Sequence, residues 1–353
     1  MSKNQLLVYG AYGYTGAMIC ELLHQQGIKP MLAGRNPVAL KEIADKYGFE
    51  HIAFDLNNKT AFEAALQNTK VFLHCAGPFI HTAKVAAELC IQTKTHYLDI
   101  TGEWQVFEML AGMSDAAQKA GVMLLPGVGF DVVPSDCLAL FLKQQLPDAN
   151  LLEIVLHNEG GRLSRGTKLT MGENLGEPTY YRKEGKLTEV GLAEKIKAVS
   201  IGGKSFQAMN ISWGDISTAW RSTQIPNIVT YVTAPSSMIK TAQKQKYIAW
   251  LLRIKWVKNR FLRKTAENDK PMSWEKRQQA ASYIWASVQN AAGKTCTALL
   301  TMPDGYLLTA DTAVMSAKKV LNGEFAAGFQ TPAKVYGADF ILSAKGVKRE
   351  KLS

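Results

Sequence analysis

The residues with the clearest chemical meaning lie near the start of the chain. Gly10-Ala11-Tyr12-Gly13-Tyr14-Thr15-Gly16 follows a short apolar run at 6–9 and opens a helical stretch at 17–26. A glycine directly after a strand allows a tight turn, a second lets backbone approach a pyrophosphate, and a third lets helix and strand pack closely. Gly10, Gly13 and Gly16 stand in those places, with Thr15 as a hydroxyl donor and Tyr12 and Tyr14 beside them. The helix that follows offers free amides and the positive end of its dipole to a phosphate. The glycines are spaced G-x-x-G-x-x-G, unlike the G-x-G-x-x-G of the commonest NAD sites, and without a ligand the stretch would be an ordinary strand-to-helix turn.

The second strand discriminates between cofactors. NAD sites place an acid about 20 residues beyond the glycines, on the ribose hydroxyls. Residues 28–41 contain no acid, and Gly34-Arg35-Asn36 closes the apolar run at 30–33. A guanidinium there can clamp a 2′-phosphate that an acid would repel, so NADP(H) is the expected cofactor. Asp55 follows the third run, as an acceptor for the adenine amine or as a helix cap. His74-Cys75-Ala76-Gly77-Pro78-Phe79 follows the fourth; Ala76, Gly77 and Pro78 are small enough to let backbone line the cofactor. Cys75 reads as packing, since no base is evident beside it.

These motifs, with GR at 34–35, YLDITGE at 97–103, GVGFDVVPSD at 127–136, SRGT at 164–167, DGYLLTA at 304–310 and TPA at 331–333, resemble the saccharopine dehydrogenase-like oxidoreductases. The nearer branch is the one that includes the trans-acting enoyl reductases. The resemblance implies NADPH and a Rossmann domain interrupted by an antiparallel substrate domain, with C-terminal helices returning to the Rossmann part. It implies an oxidoreductase that transfers hydride to a C=C or C=N bond of a small or lipid-linked substrate. The chain lacks the arginine cluster expected for a dicarboxylate amino acid, and no tyrosine is followed by lysine four residues later, the proton-donating pair of short-chain dehydrogenases. The alternatives from other classes are an NADP-binding redox sensor without turnover and a lipid-surface protein.

Reduction also needs a proton donor. Tyr97, Asp99 and Glu103 follow the fifth apolar run, where the strand ends of a doubly wound sheet face the ligand crevice. Asp99 serves equally well as a helix cap or a buried hydrogen-bond partner. Gly129, Phe130 and Asp131 follow the sixth run and are candidates for the substrate side, as are Ser164, Arg165 and Thr167, whose amides and guanidinium could hold an oxyanion. The six histidines show no ligand spacing, so no metal is expected.

The elements that must carry these residues are legible as a pattern. Up to residue 130, apolar runs at 6–9, 30–33, 51–54, 71–74, 96–99 and 122–126 alternate with helical stretches at 17–26, 39–47, 60–67, 82–92 and 106–120. That alternation predicts an α/β fold, a Rossmann doubly wound parallel sheet, over 1–130. After a helix at 135–145, strands at 151–157, 195–201, 206–211 and 227–233 and a hairpin of 282–289 with 295–301 predict an inserted, mostly antiparallel α+β domain over 131–308. Helices at 310–321 and 332–343 place 309–353 back on the Rossmann domain.

Composition sets the outer bounds. The 353 residues are 47% hydrophobic and 20% charged, ordinary for a globular protein with a core of its own. The five cysteines are scattered, without Cys-x-x-Cys spacing, which points to a reducing compartment and a cytoplasmic location. Net charge is +11, but residues 240–264 hold nine basic side chains and no acid. So local an excess speaks against nucleic-acid binding. Within 236–263, Tyr247, Leu251, Ile254, Val257 and Phe261 fall at helical spacing against the basic face. Such a helix can lie on an anionic membrane, and it can equally pack on its own sheet or on a partner subunit in a homodimer.

Overall fold

The computed structural model describes residues 4–159, 176–244, 256 and 280–352. They form two compact units, one of residues 1–133 with 306–345 and the other of 134–305 with 346–353.

The first unit alternates β1 (Asn4–Tyr9), α1 (Tyr14–Gln25), β2 (Met31–Gly34), α2 (Pro37–Tyr47), β3 (Glu50–Ala53), α3 (Lys59–Leu66), β4 (Thr69–His74), α4 (Ala83–Thr93) and β5 (His96–Asp99). Two short helices, α5 (Trp104–Ala111) and α6 (Ser114–Ala120), then lead to β6 (Met123–Leu125). The periodicity predicts one helix over 106–120; it is broken at Gly112 and Met113, where the Gly112 amide donates to the Glu108 carbonyl and the Met113 amide to that of Leu110. The seven-stranded sheet runs β15-β6-β5-β4-β1-β2-β3, its last strand β15 (Gly328–Phe329) contributed from far downstream. Every pair in it is parallel.

Parallel strands covered on both faces must be apolar on both. In β1, Leu6 and Val8 face Ile19, Leu23 and Leu40 of α1 and α2, while Leu7 and Tyr9, with Phe72 of the neighbouring β4, lie on the side of Phe62 and Phe107 of α3 and α5. Later in the chain come α7 (Val133–Gln145) and a long helix starting at Gly305, described below. That later helix adds Ala310, Ala313, Val314 and Ala317 to the α1–α2 side.

The second unit is built on a nine-stranded sheet. Its strands are β7 (Leu151–Glu159), β8 (Thr179–Lys183), β9 (Lys186–Val190), β10 (Ile196–Ile201), β11 (Lys204–Ile211), β12 (Asn227–Thr233), β13 (Ala281–Gln289), β14 (Thr295–Pro303) and β16 (Lys348–Lys351). The main path is β10-β11-β12-β7-β13-β14-β16, with the β8–β9 hairpin attached to β12. Along that path the pairs are antiparallel except β7 with β12, which run parallel. Helices α8 (Asp215–Thr223) and α9 (Ser236–Lys244) precede and follow β12. Period-2 burial marks β13, where Ser282, Ile284, Ala286 and Val288 are buried. The other face carries Trp285 and Tyr231, together with a Lys197–Glu153 ion pair at 2.6 Å. The α8 helix and the β8–β9 hairpin are absent from the sequence expectation, because polar residues interrupt their apolar pattern.

The returning segment holds α10 (Gly305–Leu321) and the short α11 (Pro332–Tyr336). The expectation that all of 309–353 joins the first unit is corrected by the tail. Residues 346–353 belong to the second unit, where β16 pairs antiparallel with β14 and Arg349 lies 3.8 Å from the Phe141 ring centroid. The alternating register of four polar residues, Lys-Arg-Glu-Lys, conceals an edge strand from an apolar reading. Of the segment 236–263, α9 and Trp256 are described; Trp256 is helical and 71% exposed. The stripe from Tyr247 to Phe261, and Ser164, Arg165 and Thr167, lie outside the described residues.

Candidate functional site

Strand register brings the motifs to one edge of the parallel sheet. Tyr9 of β1 pairs with His74 of β4 and Ala33 of β2, and His74 pairs with Asp99 of β5. The residues that follow these strands therefore emerge at one level. Gly10 donates its amide to the Ala33 carbonyl, Cys75 to that of Tyr9, and Val128 to that of Asp99, so the ladder extends one step into each loop.

The glycine loop is built as its spacing demands. Gly10 has φ +83°, and a Cβ on it would stand 2.9 Å from the Cβ of Ala76. A Cβ on Gly16 would stand 2.2 Å from the Gly10 carbonyl oxygen, which only glycine avoids. A Cβ on Gly13 would meet the same oxygen at 3.0 Å and nothing else within 4 Å, so Gly13 faces open space. Helix α1 begins at Tyr14 with Gly13 as its cap, no capping side chain and no acid in its first turn. This end of the helix is electropositive and has room for a phosphate, so the residues present fit a dinucleotide.

At the end of β2, the Tyr12 ring covers Gly34, whose Cβ would lie 2.4 Å from Tyr12 Cε1. The Tyr12 hydroxyl accepts from the amides of Arg35 and Asn36, each at 3.2 Å. Asn36 caps α2 through the Val38 and Ala39 amides. The Arg35 guanidinium is exposed and stands 3.9 Å from Asp55. Asp55 accepts from the backbone and side chain of Asn57, while the cap of α3 is Asn58, so the turn before the helix is where Asp55 acts. Gly10–Gly16, Arg35, Asp55 and Ala76–Pro78 thus share one edge.

The residues after β5 are placed differently from the expectation of a substrate-facing acid. Tyr97 and Asp99 are both fully buried. Tyr97 donates its hydroxyl to Asp99 Oδ2 at 2.6 Å, and Asp99 Oδ1 accepts from the amides of Thr101 and Gly127 at 3.0 and 2.9 Å. Burial lifts the Asp99 carboxyl to about 6 against these hydrogen bonds, and pushes the Tyr97 phenol well up. Glu103 holds the loop after β4: its two carboxylate oxygens accept from the amides of Phe79 and Ile80 at 2.8 Å each. All three side chains are buried, and Asp99 and Glu103 accept from loop amides, so in this structure they hold the loops together. Buried His74, lowered to about 3 by desolvation, contacts the Thr82 hydroxyl through Nε2 at 2.8 Å. Burial likewise pushes the Cys75 thiol up, away from nucleophilic use.

Gly127, Gly129, Phe130 and Asp131 form a loop pinned by α10. Phe130 donates its amide to Thr309 Oγ1 at 3.0 Å, and Thr312 Oγ1 donates to the Val128 carbonyl at 2.8 Å. The half-buried Asp131 carboxylate lies over Gly102, whose Cβ would be 2.7 Å from its Oδ2. Burial raises Asp131 to about 6. On α10, Tyr306 packs edge-on against Tyr14 at 5.3 Å. Tyr306 and Thr309 are site neighbours that sequence reasoning missed; the helix was expected to start at residue 310, and the Thr309–Thr312 spacing was the available signal.

A parallel sheet of this order, with a glycine turn at β1–α1, defines a dinucleotide-binding α/β protein. Residues 6–125 match the family model of the saccharopine dehydrogenase NADP binding domain, a match that agrees with a nicotinamide cofactor at this turn and is consistent with NADP. The chain is similar to the saccharopine dehydrogenase-like oxidoreductase of Mus musculus, with 27% identity over 161 residues, 40% of this chain and 38% of the relative. It is also similar to the lipid droplet localized protein of Caenorhabditis elegans, with 27% identity over 159 residues, 41% of this chain and 37% of the relative. These matches span less than half the length of either relative. Apo saccharopine dehydrogenase (L-Glu forming) of Saccharomyces cerevisiae aligns over 99% of this chain and 100% of its own, with a TM-score of 0.69 and 13% identity, a likeness of fold.

Proposed function

We propose that the protein is an NADP(H)-dependent oxidoreductase that reduces a C=C or C=N bond of a small or lipid-linked substrate. The observation that carries this reading is the β1–α1 turn, with its open face at Gly13, set beside Arg35 at the end of an acid-free strand. When bound, the dinucleotide supplies hydride from its nicotinamide ring. The chain supplies the rest: α1 amides for the pyrophosphate, Arg35 for the 2′-phosphate, and loops locked by Asp99 and Glu103 along the sheet edge. Asp131 is the acid we assign to proton delivery, because it is half-buried at that edge and, lifted to about 6, holds a proton nearer neutrality than an exposed aspartate.

Binding tests this first. Purified protein titrated with NADPH and NADH should prefer NADPH, and Arg35→Ala should weaken NADPH selectively by about 1–3 kcal/mol. Equal affinity of the wild type for the two would remove the reading. Turnover is tested with imines and enoyl thioesters, following loss of nicotinamide absorbance. A lipid-linked substrate is supported by the basic segment 240–264 and the exposed Trp256. Among the described residues, no helix is long and apolar enough to cross a membrane. The second reading, an NADP-binding regulator, is favoured by the burial of Tyr97 and Asp99; it predicts NADPH binding with no oxidation across the whole panel.

A further inference from the structure

We infer that Tyr12 is a specificity-determining positioning residue, whose hydroxyl sets the Arg35–Asn36 backbone for a ribose 2′-phosphate. The inference rests on the NADP reading above and names the part of the site that selects for the extra phosphate. Three observations carry it. The Tyr12 ring lies on Gly34, where a Cβ would come within 2.4 Å of it, so the ring has its place only because residue 34 is glycine. The phenolic oxygen accepts from two consecutive amides, Arg35 and Asn36, at 3.2 Å each. The next two amides, Val38 and Ala39, are already taken by the Asn36 side chain. Tyr12 thus ties the glycine loop to the residue that carries the guanidinium.

The chemistry follows from the donor count. A hydroxyl has two acceptor lone pairs and one hydrogen. With both lone pairs engaged by amides, the O–H hydrogen is what remains to be given, and accepting two N–H bonds polarises it as a donor. An anionic oxygen takes such a donor more strongly than a neutral hydroxyl does. Arg35 is exposed and has Asp55 at 3.9 Å competing for it, so the anchoring of its backbone by Tyr12 bears on whether it reaches a phosphate. Loss of that anchor therefore falls on NADPH, which bears the phosphate, and spares NADH, which lacks it.

The test compares both dinucleotides on the full chain. Tyr12→Phe keeps the ring on Gly34 and removes the hydroxyl alone. Its NADPH dissociation constant should rise about five- to tenfold, the size of one or two lost hydrogen bonds, with NADH affinity and the thermal midpoint nearly unchanged. Gly34→Ala should show the same selective loss with the hydroxyl still present, because the new methyl group moves the ring off the amides. An unchanged NADPH-to-NADH ratio in Tyr12→Phe, or equal loss toward both, overturns the inference and leaves the NADP reading standing. Wild-type protein without preference for NADPH overturns both.

Discussion

Asp99 shows how one buried carboxylate can fix several loops at once. It joins the Tyr97 hydroxyl to the amides of Thr101 and Gly127, on both sides of the β5 end. Its carboxyl is raised from 3.8 to about 6. The folded state therefore binds the proton more tightly than the unfolded chain, and the stability this group contributes is present below pH 4 and lost as pH rises through 6. The shift corresponds to about 3 kcal/mol. Asp99→Asn, which cannot ionise, should flatten that part of the stability profile between pH 4 and 6, as read by urea unfolding across pH. A variant with the wild-type slope would exclude Asp99 as its source. The sequence left the role of Asp99 open between proton donor and structural partner. Alternation along a four-residue strand cannot say which way a polar side chain faces when both sheet faces are covered by helices.

The β1–α1 turn separates two uses of glycine within a single element. Gly16 is required by packing, since a methyl group would strike the Gly10 carbonyl at 2.2 Å. At Gly13 packing demands less, since a methyl group there meets only one atom, at 3.0 Å, and the proposed approach of a phosphate is what would ask for glycine. Gly16→Ala should lower stability by more than about 2 kcal/mol and abolish NADPH binding with it. Gly13→Ala should bind NADPH poorly while costing about 1 kcal/mol or less, as shown by thermal unfolding beside a fluorescence titration. Intact NADPH affinity in Gly13→Ala would mean that no phosphate approaches this backbone. At this scale the sequence was informative. Six of the seven strands and most helices of the first unit lie within a few residues of their expected places, because glycine, proline and apolar runs punctuate them locally; the two-residue β15 was not foreseen. The β8–β9 hairpin, α8 and β16 were not legible, because long-range pairing rather than local apolarity defines them.

At the scale of the molecule, the chain leaves the first unit at residue 133, returns at 306 and leaves again at 345. The tail is the smallest piece of this exchange. Deleting residues 346–353 removes the β14–β16 ladder, the Leu352 amide bond to the Thr297 carbonyl and the Arg349–Phe141 contact. The second unit should lose about 1–3 kcal/mol, while NADPH affinity is kept. Calorimetry with and without NADPH distinguishes the units, since the cofactor shifts only the transition of the unit that binds it. A tail deletion that weakens NADPH would contradict this division of labour.

The β6–β15 pairing also sets a timetable for biosynthesis. β15 lies beside β6 in the finished sheet, yet some 200 residues separate them in the chain. At roughly 5–20 residues per second, a ribosome needs on the order of 10–40 s to deliver β15 after β6 has emerged. Through that interval the amides and carbonyls of β6 form an uncovered margin, and the apolar side of α1 and α2 waits for α10. A nascent chain of this protein is thus most exposed to wrong pairing, and most in need of a holding chaperone, while its middle third is being made.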